Sequence, residues 1–244
     1  MSVNDLAGIH TDALNESLAR MRFDAPVTHV YNPFEYARHP WTQYLQRHAR
    51  PGVDAVLIGM NPGPWGMAQT GIPFGEIASV RDWLRLDGPL QRPEHEHPKR
   101  PIQGHDCPRS EVSGRRVWEW AAEKFNSPDA FFERFFIANY CPLSFMEESG
   151  RNRTPDKLPA KERTPLFAAC DVFLRHLIDA LRPRMVIGVG VFAEDRARKA
   201  LEHHDVEFGR ILHPSPASPA ANRGWAAQAT DQLHALGFVL GETV

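Results

Sequence analysis

Three residues far apart in the chain stand where chemistry is most easily done: Asn61 in GMNPGPWGMAQTGIPFGE, Asn139 in Asn139-Tyr140-Cys141-Pro142, and His213 in HPSPASPAANRGW. Each follows directly on a short apolar run that reads as a strand, and open α/β sheets bind ligands beyond the carboxyl ends of their strands. The three side chains are therefore expected to converge on one crevice. The first segment is glycine-rich, but Pro62 and Pro64 lack the N–H groups with which a phosphate loop cradles its ligand, and no Lys-Ser or Lys-Thr follows. That argues against a nucleoside-triphosphate loop and for a stiff backbone of close approach that holds Asn61 and Phe74. In the third segment His213 can donate a hydrogen bond to an oxygen that turns negative as a bond breaks. Ser215 and Ser218, with N–H groups ahead of a helix, suit a phosphate oxygen. Taken singly, Asn61 before a proline fits a turn at least as well, and His213 fits a structural loop histidine.

The elements that must position these residues are legible as periodicity. Val-, Ile- and Phe-rich runs at 54–59, 134–139, 184–190 and 206–212 predict strands, and their near-continuous apolar character predicts a sheet covered on both faces. Between them, Leu166, Cys170, Phe173, Leu174, Leu177, Ile178 and Leu181 mark one helical face, with Thr164-Pro165 as its start and Arg182-Pro183 as its end. Residues 113–125 and the segment opened by Ser127-Pro128-Asp129 predict further helices. A last helix from about Asn222 buries Trp225, Ala229, Leu233 and Leu236 and stops at Gly237. The expected fold is α/β: three layers, α/β/α, around a central four-stranded parallel sheet. The interval from Gly59 to Arg134, which includes QRPEHEHPKRP, is too irregular for one crossover helix and should carry functional loops.

Composition narrows the class. The 244 residues, 42% hydrophobic, fit one domain, with residues 1–30 left as a peripheral N-terminal helix. Lys and Arg number 28 against 30 Asp and Glu, a net charge of −2, so any basic surface is local; residues 81–116 and 151–163 are arginine-rich. Three widely spaced cysteines are too few for a cluster held by four thiolates and suggest a reducing compartment. The start, MSVNDLAGIH, lacks the character of a signal peptide, and no run reaches the length of a membrane span. A soluble intracellular protein is expected, with no membrane partner.

The runs GMNPGPWGMAQTGIPFGE, NYCPLSFMEESGRNRTPDKLP and HPSPASPAANRGW, in that order, resemble the signature regions of the single-strand-selective monofunctional uracil-DNA glycosylases, and the similarity continues through SEVSGRRVWEW. It spans residues 31–238. The resemblance implies the fold of that superfamily and an enzyme of base-excision repair. Such an enzyme hydrolyses the N-glycosidic bond of uracil and 5-substituted uracils, such as 5-hydroxymethyluracil, in single- and double-stranded DNA, leaving an abasic site. It implies that Asn61 positions the attacking water and that His213 stabilises the departing base at O2. Phe74 is the stacking aromatic, Asn139 reads the Watson–Crick edge, and Met60 and Gly63 complete the base pocket. Gly63 stands where uracil-only relatives carry a bulky tyrosine, leaving room beside C5. The stretch Pro214, Ser215, Pro216, Ala217, Ser218, Asn222 and Arg223 is similar to the wedge that contacts DNA. Ala217 replaces an arginine of the vertebrate members and Trp65 a phenylalanine, so a weaker wedge on duplex DNA is expected.

The resemblance implies no metal and no other cofactor, a monomer as the working unit, and a place at the nucleoid in a bacterium or in the nucleus of a eukaryote. His95-Glu96-His97 alternates as a chelate would, but its prolines and charges predict a solvated loop. Glu76 reads equally as a pocket residue or a structural carboxylate. Two other functions remain open at this point: a superfamily enzyme acting on deaminated purines, xanthine or hypoxanthine, and a non-catalytic binder of single-stranded DNA.

Overall fold

The four apolar runs form the sheet they predict. In a computed structural model that describes residues 2–240, the strands are β1 (Val27–Tyr31), β2 (Ala55–Gly59), β3 (Phe135–Asn139), β4 (Ser144–Glu147), β5 (Asn152–Arg153), β6 (Met185–Val189) and β7 (Glu207–Ile211). β3, β2, β6 and β7 make a four-stranded sheet in that order, every pair parallel. β2, β3 and β6 are buried at every residue, whereas β7, on the edge, alternates. Helices on both faces produce the first pattern, and a free edge produces the second.

Register is what matters for the site. Gly59 lies opposite Asn139 at the ends of β2 and β3, and Val189 lies opposite Ile211 at the ends of β6 and β7. All four strands therefore finish along one rim, from which Asn61 and His213 each follow within two residues.

The helix Ala160–Leu181 starts earlier than the Thr164-Pro165 pair predicts, with Pro159 at its N-cap. Pro165 sits within it, and the Lys161 carbonyl its missing N–H would have met belongs to an exposed residue. Arg182, at φ 46°, ends it as expected. The helix Val112–Lys124 and the short helix Pro128–Phe132, capped by the Ser127 hydroxyl on the Ala130 N–H, match their predicted places. The last helix, Trp225–Ala235, follows a separate 3-10 turn at Ala221–Arg223, and Leu236 is only half-buried. Gly237, at φ 86°, marks its end.

Two features were not foreseen. β1, β4 and β5 make a second, antiparallel sheet in the order β1-β4-β5. The N-terminal segment is less peripheral than expected, since Leu6, Ala7, Leu14 and Leu18 lie in the main core. The histidine-rich loop also departs from the solvated reading. His97 is buried, its N–H donates to the Tyr31 hydroxyl at 2.6 Å, and its Nε2 lies 3.1 Å from the Glu147 carbonyl. Glu96 accepts the Ile102 N–H at 2.7 Å. These contacts tie the long interval to the second sheet. Among the described residues, no helix is long and apolar enough to cross a membrane.

Candidate active site

At the rim of the parallel sheet, backbone glycine makes room for two side chains. A Cβ on Gly59 would lie 2.4 Å from Asn139 Oδ1 and 2.6 Å from Phe74 Cε2, so the amide and the ring meet directly over the end of β2. Gly59→Ala should therefore unseat both. Single-turnover activity should fall about 100-fold, as expected when the groups that hold the base shift by about 1 Å, while the far-ultraviolet spectrum is retained; near wild-type turnover would refute this packing.

Phe74 is held in a conformation its residue type avoids. Its φ is 54°, and its carbonyl accepts both the Trp118 indole N–H at 3.0 Å and the Glu76 N–H at 2.7 Å. A Cβ on Gly114 would lie 2.0 Å from that carbonyl. A strained backbone fixed by a buried indole sets one ring face toward the cavity and keeps it there. Glu76 is accordingly structural: its Oε2 accepts the Ser79 N–H at 2.9 Å and hydroxyl at 2.8 Å. Burial acts to raise its pKa, but these bonds, with others from Ser110 and Ala78, hold it below the usual carboxylate value.

The two amides are anchored at one end and free at the other. Asn61 Nδ2 donates to the Leu143 carbonyl at 3.1 Å, which leaves Oδ1 as its open acceptor. Asn139 is 8% exposed, and its Nδ2 lies 3.1 Å from Met67 Sδ, a weak acceptor that a better one would displace. Behind it, the Tyr140 hydroxyl donates to Asp171 Oδ1 at 2.6 Å, and Arg196 Nη2 donates to both Asp171 oxygens at 2.7 Å, which stiffens the exit of β3.

His213 has its tautomer set by its own loop. The Ser215 N–H donates to Nδ1 at 3.1 Å, so the ring proton belongs on Nε2. Burial lowers the His213 pKa below the ordinary histidine value and favours the neutral ring. Its centroid stands 6.2 Å from that of Phe74, at 45°.

One cavity of about 350 Å³ gathers these groups: Met60, Asn61, Gly63, Phe74, Asn139, His213 and Ser215 all line it. Larger hollows lie elsewhere, one of about 480 Å³ along Met21, Phe23 and Arg92 and one of about 740 Å³ beside His29 and Lys99, and neither contains these residues. Four lining side chains were missed from sequence: Glu111, Ser113, Asn152 and Thr154. Glu111 precedes the helix Val112–Lys124 at its N-cap position but makes no capping bond. A polar residue in a capping place that does not cap was the available signal, inside the SEVSG run.

The remaining residues of the expected wedge form the loop beside the cavity without lining it. Pro214 is buried, and Arg116 donates to its carbonyl at 3.0 Å and to Asn222 Oδ1 at 2.9 Å. Asn222 Nδ2 donates to the Pro216 carbonyl at 2.9 Å, so its amide shapes the loop. The Ser215 and Ser218 oxygens accept the N–H groups of Ala217 and Ala221, at 3.1 and 3.4 Å. The free backbone donors that the sequence suggested are thus partly consumed. Pro216, Ala217 and Arg223 are exposed. Trp65, next in the chain to the cavity-lining Pro64, is flanked by the guanidinium groups of Arg100 and Arg109, 4.8 and 4.7 Å from its ring centroid.

Comparison with known proteins gives the class to which the chain carrying this sheet and rim belongs. Residues 47–234 match the uracil DNA glycosylase superfamily, and the chain belongs to it. It is 48% identical over 228 residues to the single-strand selective monofunctional uracil DNA glycosylase of Bos taurus, covering 93% of this chain and 84% of the relative. The Mus musculus enzyme of the same name is 47% identical over 228 residues, covering 93% and 82%. Within the superfamily the chain therefore sits with the single-strand selective monofunctional members. The crystal structure of wild-type Pedobacter heparinus SMUG2 shares the fold, with a TM-score of 0.63 at 16% identity over 93% of this chain and 98% of that one.

Proposed function

We propose that this chain is a base-excision glycosylase that hydrolyses the N-glycosidic bond of uracil and 5-substituted uracils in single- and double-stranded DNA, acting as a monomer and leaving an abasic site. The observation that carries the reading is the His213 tautomer: with Nδ1 occupied by the Ser215 N–H, the Nε2 proton is left to donate in the cavity that Phe74 and Asn139 share. A base reaches such a cavity only by leaving the helix stack. Stacked on Phe74, it offers O4 and N3–H to the Asn139 amide, which can donate to one and accept from the other. Cytosine presents the reverse pattern and is refused.

As the glycosidic bond breaks, the sugar becomes oxocarbenium-like and the base carries the electron pair as negative charge on its carbonyl oxygens. The Nε2–H of His213 stabilises that charge at O2. Asn61 Oδ1 orients a water toward the sugar carbon, and an electrophile of that strength needs orientation more than a strong base. Pro216, Ala217 and Arg223, exposed on the loop beside the cavity, would then be the wedge residues that meet DNA.

The test is release from oligonucleotides that each carry one uracil, xanthine or hypoxanthine, single-stranded and paired, resolved after cleavage of the abasic site. Uracil release in excess of the purines is expected. Purine release without uracil would transfer the site to deaminated purines, and binding with no release at all would make it a single-strand binder.

A further inference from the structure

The space beside Gly63 is not empty. A Cβ there would lie 1.9 Å from Glu111 Oε1, and one on Gly66 would lie 1.9 Å from Oε2, so each carboxylate oxygen rests on a glycine of the Pro62–Gly66 turn. Oε2 is shielded from solvent and has no hydrogen-bond partner. Gly63 lines the cavity and Gly66 does not, so Oε1 is the oxygen on the cavity side, while the unpaired Oε2 behind it makes the ionised carboxyl costly.

The ring geometry of a pyrimidine indicates which part of the ligand it meets. With O4 and N3 on Asn139 and O2 on His213, and with N1 carrying the sugar out through the mouth, the C5–C6 edge is what remains for the Met60–Pro64 wall and the carboxyl resting on it. We propose that Glu111 reads the 5-position of the flipped pyrimidine, accepting a hydrogen bond from a hydroxyl-bearing 5-substituent and refusing a methyl group. The inference rests on the base-excision reading above and adds its specificity device. A 5-hydroxymethyl group donates to Oε1, the oxygen on the cavity side. The hydrogen at C5 of uracil leaves the carboxyl its small space, whereas a 5-methyl group would press on an acceptor it cannot satisfy, so thymine is excluded.

Two titratable groups face Glu111. Glu76, beneath the same turn, is ionised and tied to Ser79, and His213, across the cavity, is neutral at ordinary pH. Burial, with the Glu76 charge adding to it, pushes the Glu111 pKa up to about 7. Below that value the carboxyl is neutral. Above it, a negative carboxylate stands near a base departing as an anion and slows uracil, while a 5-hydroxyl donates more strongly to the charged form.

The experiment compares single-turnover release of uracil, 5-hydroxymethyluracil and thymine from single-stranded oligonucleotides by the full chain, by Glu111→Leu and by Glu111→Gln. In Glu111→Leu the ratio of 5-hydroxymethyluracil to uracil release should fall about 10- to 100-fold, the loss of one strong hydrogen bond, while thymine release rises above background. Glu111→Gln keeps the shape and one acceptor but cannot ionise, so its uracil release should lose the slowing that the wild type shows as pH rises through about 7. In the wild type that ratio should rise between about pH 6 and about pH 8.5, and in Glu111→Gln it should be flat. An unchanged ratio in both variants, a flat wild-type ratio, or equal loss of all substrates would each overturn the role of Glu111. Failure of the wild type to release uracil would instead overturn the base-excision reading and this inference with it.

Discussion

Asn61→Ala should release uracil about 10² to 10⁴ times more slowly in a single turnover, the range lost when a group that handles the reacting proton or water is removed. It should still bind a uracil-containing strand within about threefold of the wild type. The asymmetry follows from the anchoring of the side chain. Its Nδ2 is spent on the Leu143 carbonyl at 3.1 Å, so only Oδ1 is left to face a ligand, and an acceptor is what a water needs and a base carbonyl does not. Asn61 thus contributes when the sugar is already cationic and the water must be on line, and little before. Asn61→Asp keeps an acceptor but sets a carboxylate against the Leu143 carbonyl, so it should recover only part of the rate. Affinity and rate falling together in Asn61→Ala would show that the residue holds the base, and the assignment of the water would fail.

How much of this was legible depends on how local each cause is. The parallel sheet was, because four apolar runs with β-branched and aromatic residues need no partner to announce themselves, and the strands lie within one or two residues of the runs. The antiparallel sheet was not: β5 is two residues long, and β4 begins within a segment that reads as loop after Cys141-Pro142. Asn61, Asn139 and His213 were legible because each lies at or just beyond a strand end, where the fold itself gathers residues, whereas Phe74, well past the end of β2, was given its role by the resemblance alone. Glu111 was not, since its place depends on contact with Gly63 and Gly66, more than forty residues earlier in the chain. Gly63 was legible as a missing side chain, but that says nothing about which other segment packs on it, and Glu111 does. Asn222 and Arg116 show the converse limit of a sequence. Polar residues near a predicted DNA-contacting loop look like ligands for phosphate, yet these two spend their groups on each other and on the loop backbone.

His213→Ala should slow uracil release about 10²- to 10³-fold, the usual loss when one donor to a developing oxyanion is removed. The pH dependence is the sharper test, because two forms of the ring make opposite forecasts. An imidazolium would stabilise an anionic base better than a neutral ring, so a site that used it would quicken as pH falls through the histidine range. The structure assigns the other form: Nδ1 already accepts the Ser215 N–H, and a second proton there would set N–H against N–H and loosen the loop from Pro214 onward. Burial acts in the same direction by lowering the pKa. The neutral, active form is therefore complete above the ordinary histidine pKa and is lost only as pH falls through the depressed one. Measured in Glu111→Gln, where the neighbouring carboxyl no longer titrates, the single-turnover rate should stay level as pH is lowered through about 6.5 and decline only below it. A rate that climbs across that interval would mean that His213 works as a cation, and the hydrogen bond from Ser215 would then have to break before the base departs.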